Sequence, residues 1–117
     1  MFFNFFQLRN RLSVYYESIC PDSRRFILNQ VVPLHQKFDQ FIDLELVPFG
    51  NANVTYPNHD NKPVFQCQHG PDECYGNRAQ ACVIELIRNQ KLSLNYVNCM
   101  FEDEEWKQPR ITAEKVM

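Results

Sequence analysis

Cys20-Pro21-Asp22-Ser23 is where chemistry can first be placed in this chain. The residues before it, Leu12 to Ser18, are rich in β-branched and aromatic side chains, whereas those from Ser23 onward are spaced as a helix. Cys20 is therefore expected at a strand-to-helix junction, where unpaired backbone N–H groups and the positive end of the helix dipole favour an anion. Such a setting lowers a thiol pKa from about 8.5 to between roughly 3.5 and 7.5, and Arg24 and Arg25 would add to the effect by pointing back. A thiolate of this kind attacks disulfides. The structural alternative is a buried small hydrophobe or half of a structural disulfide. Ser23 stands where a second cysteine would complete C-x-x-C, so release of a mixed disulfide needs an external thiol, a substrate thiol or another cysteine. Ser23 also suits a helix cap, and its hydroxyl suits a hydrogen bond to the Cys20 thiolate.

The other four cysteines, Cys67, Cys74, Cys82 and Cys99, are clustered with the intervals C-x6-C-x7-C and a further 17 residues to Cys99. Four cysteines make two disulfides in one of three connectivities, leaving Cys20 as the odd thiol. A zinc site from Cys67, His69, Cys74 and Cys82 is the weaker alternative, because paired C-x2–4-C knuckles are missing, and no metal or other cofactor is assigned. His69 suits an acid or base near neutral pH, although a histidine followed by Gly-Pro is more often a loop residue making a structural hydrogen bond. His35 and His59 offer only the structural role.

The elements that must position these groups follow from periodicity. Leu12 to Ser18 reads as a strand. Phe26, Ile27, Val31, Leu34, Phe38 and Phe41 predict an amphipathic helix capped by Asp22 or Ser23, with a kink or break at Pro33 because proline cannot donate to residue 29. Ile42 to Phe49 alternates and predicts a second strand closed by Pro48 and Gly50. Strand, helix, strand is a βαβ unit with parallel strands. Asn51 to Asp72 is rich in Asn, Pro, His and Gly and predicts a long loop. A second helix follows, with Asn77 as cap and an apolar stripe of Ala79, Cys82, Val83, Leu86 and Ile87. Leu92 to Met100 is ambiguous, Glu102 to Glu105 with Trp106 reads as a solvated face, and the tail after Pro109 carries little pattern.

The chain has 117 residues, 44% hydrophobic and 22% charged, which fits one globular domain: a βαβ unit over 12–50 and a cysteine-rich insertion over 51–100. Twelve basic against fourteen acidic residues give a net charge of −2, without the basic excess that nucleic-acid binding needs. No stretch is long and apolar enough for a membrane span. The opening Met1 to Leu8 is a poor signal peptide, because Arg9 and Arg11 follow the apolar residues instead of preceding them. Cysteine usage nevertheless suits an oxidising compartment. Asn53-Val54-Thr55 is a glycosylation sequon, with Asn53 as the acceptor.

Cys67-Gln68-His69-Gly70-x-x-Glu73-Cys74-x-x-Asn77-x-x-x-x-Cys82 resembles, position for position, the signature of the gamma-interferon-inducible lysosomal thiol reductases. Tyr15 to Ser23, and Leu46 to Ala52, resemble the family's active-site strand and helix and its following strand and turn. The resemblance covers roughly residues 12–100. It implies an α/β, thioredoxin-like fold with a cysteine-rich helical insertion, and reduction of protein disulfides with an external thiol, in a lysosomal or extracellular setting. Cys20 matches the attacking cysteine. Ser23 departs from the second, as it does in many invertebrate members, which puts dithiol chemistry in question. A disulfide-stapled interaction module without catalysis is the rival expectation. The family's later proline-bearing strand has no counterpart before Met117, so an incomplete sheet is expected, from a truncated member or an altered reading of the gene.

Overall fold

A computed structural model describes residues 9–117. The expectations for Met1 to Leu8, neither membrane span nor signal peptide, fall outside the described residues. The chain runs β1 (Asn10–Tyr16), α1 (Pro21–Phe26), a π-helical turn (Ile27–Val31), α2 (Val32–Phe38), a short 3₁₀ turn (Asp39–Phe41) and β2 (Ile42–Pro48). Then come β3 (Asn53–Thr55), β4 (Val64–Gln66), α3 (Pro71–Ile87), α4 (Gln90–Glu102) and α5 (Pro109–Lys115). The fold is α/β.

β1 and β2 pair in parallel, with Leu12 opposite Leu44 and Val14 opposite Leu46, so the βαβ unit is present. Alternation sends Val14, Tyr16, Ile42, Leu44 and Leu46 into one core, where Ile27 and Val31 of the π turn meet Leu94, Val97 and Phe101 of α4. Arg11, Ser13, Asp43 and Glu45 occupy the other face, joined by hydrogen bonds from Arg11 to both carboxylates and from Ser13 to Glu45. That face is polar over the first two odd positions of each strand, Arg11 and Ser13 beside Asp43 and Glu45, and gives way to Tyr15 and Val47 at the strand ends. The sheet has two strands among the described residues.

The break expected at Pro33 takes the form of the π turn. Val32 N–H reaches back five residues to Ile27 O, and the helical path continues past the proline, whose missing N–H makes the ordinary ladder impossible there. The extra residue per turn also shifts which side faces the core. Ile27, Val31 and His35 are buried, while Phe26, Leu34, Phe38 and Phe41 of the expected stripe are exposed.

Two other expectations are corrected. Asn51 to Asp72 contains an antiparallel hairpin, with Asn53 opposite Gln66, instead of being loop throughout. α3 begins at Pro71 with Gly70 as its N-cap, not at Asn77, and it buries Glu73, Gly76, Asn77 and Gln80. The expected apolar stripe is largely outside: Leu86 is 83% exposed and Cys82 is exposed, while Ala79 and Val83 are only partly covered by the small cluster of Tyr96, Met100 and Ala113. α3 turns its polar side inward because that side is matched by polar atoms of Tyr16 at the end of β1, of Ser18 just after it, and of His69.

The ambiguous Leu92 to Met100 belongs to α4, started by Asn89, whose side chain accepts Leu92 N–H at 3.0 Å. The tail is helical, and α5 buries Pro109, Thr112 and Ala113. Trp106 is not part of a solvated face: it packs against Phe101, with the Arg24 guanidinium 5.0 Å from its ring centroid. No helix among the described residues is long and apolar enough to cross a membrane.

Candidate active site

Cys20 lies at the junction expected for it, as the N-cap residue of α1 with Pro21 opening the helix. Its backbone N–H donates to Glu17 O at 3.3 Å and its carbonyl accepts Arg24 N–H at 3.0 Å, which fixes the turn between β1 and α1. The thiol is free and partly exposed. It opens into a cleft of about 560 Å³ whose lining includes Glu17, Ser23, Gln68 and His69. A larger cleft of about 900 Å³, between the hairpin and α3, is lined by Phe49, Phe65 and Tyr75 but holds no free thiol. The free thiol of Cys20 therefore faces the smaller one.

Neither arginine points back. Arg24 Nε donates to Phe101 O at 2.7 Å, and Arg25 pairs with Asp22. Ser23 does not cap α1. Its Oγ accepts the backbone N–H of Glu17 at 3.1 Å, so it braces the turn that carries Cys20 and makes no hydrogen bond to the thiol.

Across the cleft, Cys67 and Cys74 form a disulfide that ties the end of β4 to the first turn of α3. Between them lie Gln68, His69, Gly70 and Glu73. Glu73 is fully buried and holds His69 twice, taking its backbone N–H on Oε1 at 3.1 Å and its ring Nδ1 on Oε2 at 2.7 Å. The same Nδ1 is 3.2 Å from Oε1 of Glu17. Glu17 Oε2 accepts Asn51 N–H at 2.9 Å, and the Gln68 amide, turned with its nitrogen inward, lies 3.0 and 3.2 Å from the two Glu17 oxygens. All four carboxylate oxygens thus have hydrogen-bond donors, which is what makes their burial tolerable. Gly50 allows the close approach of Glu17: at φ +56° it adopts a left-handed turn, and a Cβ there would lie 2.3 Å from Glu17 Cγ. A carboxylate oxygen of Glu17, the Cys20 sulfur and a His69 ring nitrogen all lie within 4.8 Å of one another.

Asn77, expected as a cap, instead accepts Ser18 N–H on Oδ1 at 2.9 Å, while Ser18 Oγ donates to Glu73 O at 3.1 Å. One turn further on, Gln80 Oε1 accepts the Tyr16 hydroxyl at 2.6 Å. Glu73, Asn77 and Gln80 are spaced i, i+4, i+7 and form one inward face, on which Ser18 meets Glu73 and Asn77 and Tyr16 meets Gln80. Glu17, Ser18, Gly50 and Gln80 were missed as site residues in the sequence. The i, i+4, i+7 polar spacing on α3 was the available signal.

The expected second disulfide is not formed. Cys82 and Cys99 are exposed free thiols, because they sit on the solvent sides of α3 and α4. The alternative zinc set also fails, since the sulfurs of Cys67 and Cys74 are bonded to each other. Asn53 is exposed at the start of β3.

A free thiol at the first βα junction of a parallel unit, facing a stapled loop with a carboxylate-held histidine, defines an α/β protein with a thiol-centred site. The family model for gamma interferon inducible lysosomal thiol reductase (GILT) matches residues 11–115, and the chain belongs to that family. It is similar to a gamma-interferon-inducible lysosomal thiol reductase-like protein of Anopheles gambiae, with 41% identity over 80% of this chain and 42% of that protein. It also resembles GILT-like protein 1 of Drosophila melanogaster, at 37% identity over 78% and 40% of the two chains. With the mouse gamma-interferon-inducible lysosomal thiol reductase it shares 30% identity over 92% of this chain and 46% of the other. The chain therefore spans less than half the length of these relatives.

Proposed function

We propose that this chain is a thiol–disulfide oxidoreductase that reduces protein disulfides through a Cys20 thiolate and a mixed-disulfide intermediate. One observation carries the reading: the partly exposed Cys20 sulfur opens into a cleft beside His69 and Glu17 at the β1–α1 junction. The parallel unit with its thiol at that junction supports the thioredoxin-like interpretation of the fold. The thiolate attacks one sulfur of a substrate disulfide, forming a Cys20–substrate bond and expelling the other sulfur as a thiolate, which takes up a proton. Ser23 has no sulfur, so an external thiolate attacks the Cys20 sulfur and frees the second substrate thiol. A second external thiol then restores Cys20 and leaves as an external disulfide, so that two electrons have passed from two external thiols to the substrate.

The family names of the relatives support a lysosomal or extracellular setting, and the exposed Asn53 supports glycosylation on that route. The rival function, an interaction module without catalysis, draws on Ser23, whose hydroxyl oxygen serves the turn and not the thiol. Cys20→Ala is expected to abolish insulin reduction driven by an external thiol, and unchanged reduction would overturn the catalytic reading.

A further inference from the structure

We propose that His69 is the acid–base catalyst of disulfide exchange at Cys20 and that Glu73 positions it, a step that rests on Cys20 being the attacking thiol. The ring is held against rotation. Glu73 grips both its Nδ1 and its backbone N–H, and Glu17 lies on the same ring edge. With an oxygen of each glutamate facing Nδ1, the geometry suits that nitrogen as the N–H donor, which leaves the Nε2 lone pair to accept and return a proton. No described residue hydrogen-bonds to Nε2. The side chains of Glu73 and Glu17 are 0% and 5% exposed, whereas that of His69 is 33% exposed, so the clamp is buried while the ring meets the cleft. The positive charge the ring develops is stabilised by the two carboxylates, as in other carboxylate–histidine pairs.

Among the described residues His69 is also the one cation-forming group lining the cleft beside the thiol, since Arg24 and Arg25 are engaged elsewhere. The titratable groups facing it are Glu73 from α3, Glu17 from the turn after β1, and Cys20 at the start of α1, with Asp22, Tyr15 and Tyr16 elsewhere along the cleft. The proton balance is closed within the site. His69 takes the proton of the Cys20 thiol as the sulfur attacks, the substrate S–S bond breaks as the new S–S bond forms, and the imidazolium returns that proton to the departing thiolate. External thiols use the same imidazole in the later steps.

The test is the rate of mixed-disulfide formation on the full chain, read at the Cys20 peptide by mass spectrometry. It compares a dialkyl disulfide, whose leaving thiolate needs a proton, with a diaryl disulfide, whose leaving thiolate does not. His69→Asn is expected to slow the dialkyl reaction roughly 10- to 100-fold, within the usual range for general acid catalysis, and the diaryl reaction by less than about threefold. Glu73→Gln is expected to move the ratio the same way by a smaller factor. An unchanged ratio in folded His69→Asn overturns the inference and leaves the role of Cys20 standing. Absence of Cys20 reactivity in the native chain overturns both. If either variant fails to fold, the native chain decides alone: a rate nearly independent of leaving-thiol basicity across alkyl disulfides supports proton donation, and a dependence as steep as that of a free thiol refutes it.

Discussion

Ser18 and Asn77, 59 positions apart, are joined by a buried hydrogen bond in which the Ser18 backbone N–H donates to Asn77 Oδ1 at 2.9 Å. It is the middle of three contacts, with Tyr16 to Gln80 and Ser18 Oγ to Glu73 O on either side, that lay the turn before Cys20 along α3. Asn77→Ala leaves the Ser18 N–H buried without an acceptor, which costs about 1–3 kcal/mol. Urea denaturation should show that loss. Amide exchange should speed up at Ser18 more than in β2, because the contact removed is local to the turn.

Gly76 tests the same junction from the steric side. A Cβ there would meet Ser18 Oγ at 2.4 Å and Pro109 Cβ at 2.9 Å, so the turn before Cys20 and the start of α5 both press on this position. Gly76→Ala raises helix propensity yet is expected to destabilise by roughly 1–3 kcal/mol through overpacking. A lower thermal midpoint checks it; a higher one would show that the three segments are not so closely packed.

Ser23 separates the catalytic function from its rival. Ser23→Cys supplies the sulfur that a C-x-x-C site uses to release its mixed disulfide, while replacing the oxygen that accepts Glu17 N–H with a weaker acceptor. Turnover of insulin at limiting external thiol is expected to rise several-fold despite a small loss of stability. Trapped mixed disulfide should decline in parallel. A variant that binds disulfide substrates but turns over no faster would favour the interaction module.

The βαβ unit was legible because its signals are local: alternation in Ile42 to Phe49, a run of apolar spacings after Ser23, and a cysteine between strand and helix. Pro33 announced an irregularity, but only the path of the chain decides between a break and a π turn that carries the helix on. α3 misled for a physical reason. Its apolar positions Leu86 and Cys82 face outward, and its inward side is built from Glu73, Asn77 and Gln80, whose contacts with Tyr16 and Ser18 span more than fifty residues. Periodicity ranks residues by hydrophobicity, so a buried polar face satisfied by distant backbone and side chains is invisible to it. Glu17 was missed likewise, because an acidic residue in a strand-end sequence looks solvated until Asn51, Gln68 and His69 are seen around it.

The cysteine assignment predicts a labelling pattern. In the unreduced, folded chain an alkylating reagent is expected to modify Cys82, Cys99 and Cys20, and to spare Cys67 and Cys74. Mass spectrometry of the intact protein should count three labels before reduction and five after reduction and unfolding. A count of one would mean that all four clustered cysteines are paired in one of the three connectivities open to them, with Cys20 as the single free thiol.

Tyr16 provides the pH test of the core. Burial, and secondarily the neighbouring Tyr96 hydroxyl, push its pKa well above the ordinary value of 10.0, while its hydroxyl donates to Gln80 in the interior. In the unfolded chain the same tyrosine ionises near about 10. The neutral form is therefore favoured by folding. Its contribution is fully present below about pH 10 and is lost as pH rises toward the folded value, because the unfolded state releases a proton that the folded state keeps. Alkaline titration followed at the phenolate absorbance should show Tyr16 ionising only together with unfolding, seen as a coincident loss of circular dichroism. Tyr16→Phe removes that ionisation but strands the Gln80 oxygen, so it should flatten the alkaline limb of the stability profile while lowering stability at neutral pH by about 1–3 kcal/mol. A phenolate signal that rises fully before any loss of structure would refute the buried Tyr16–Gln80 contact.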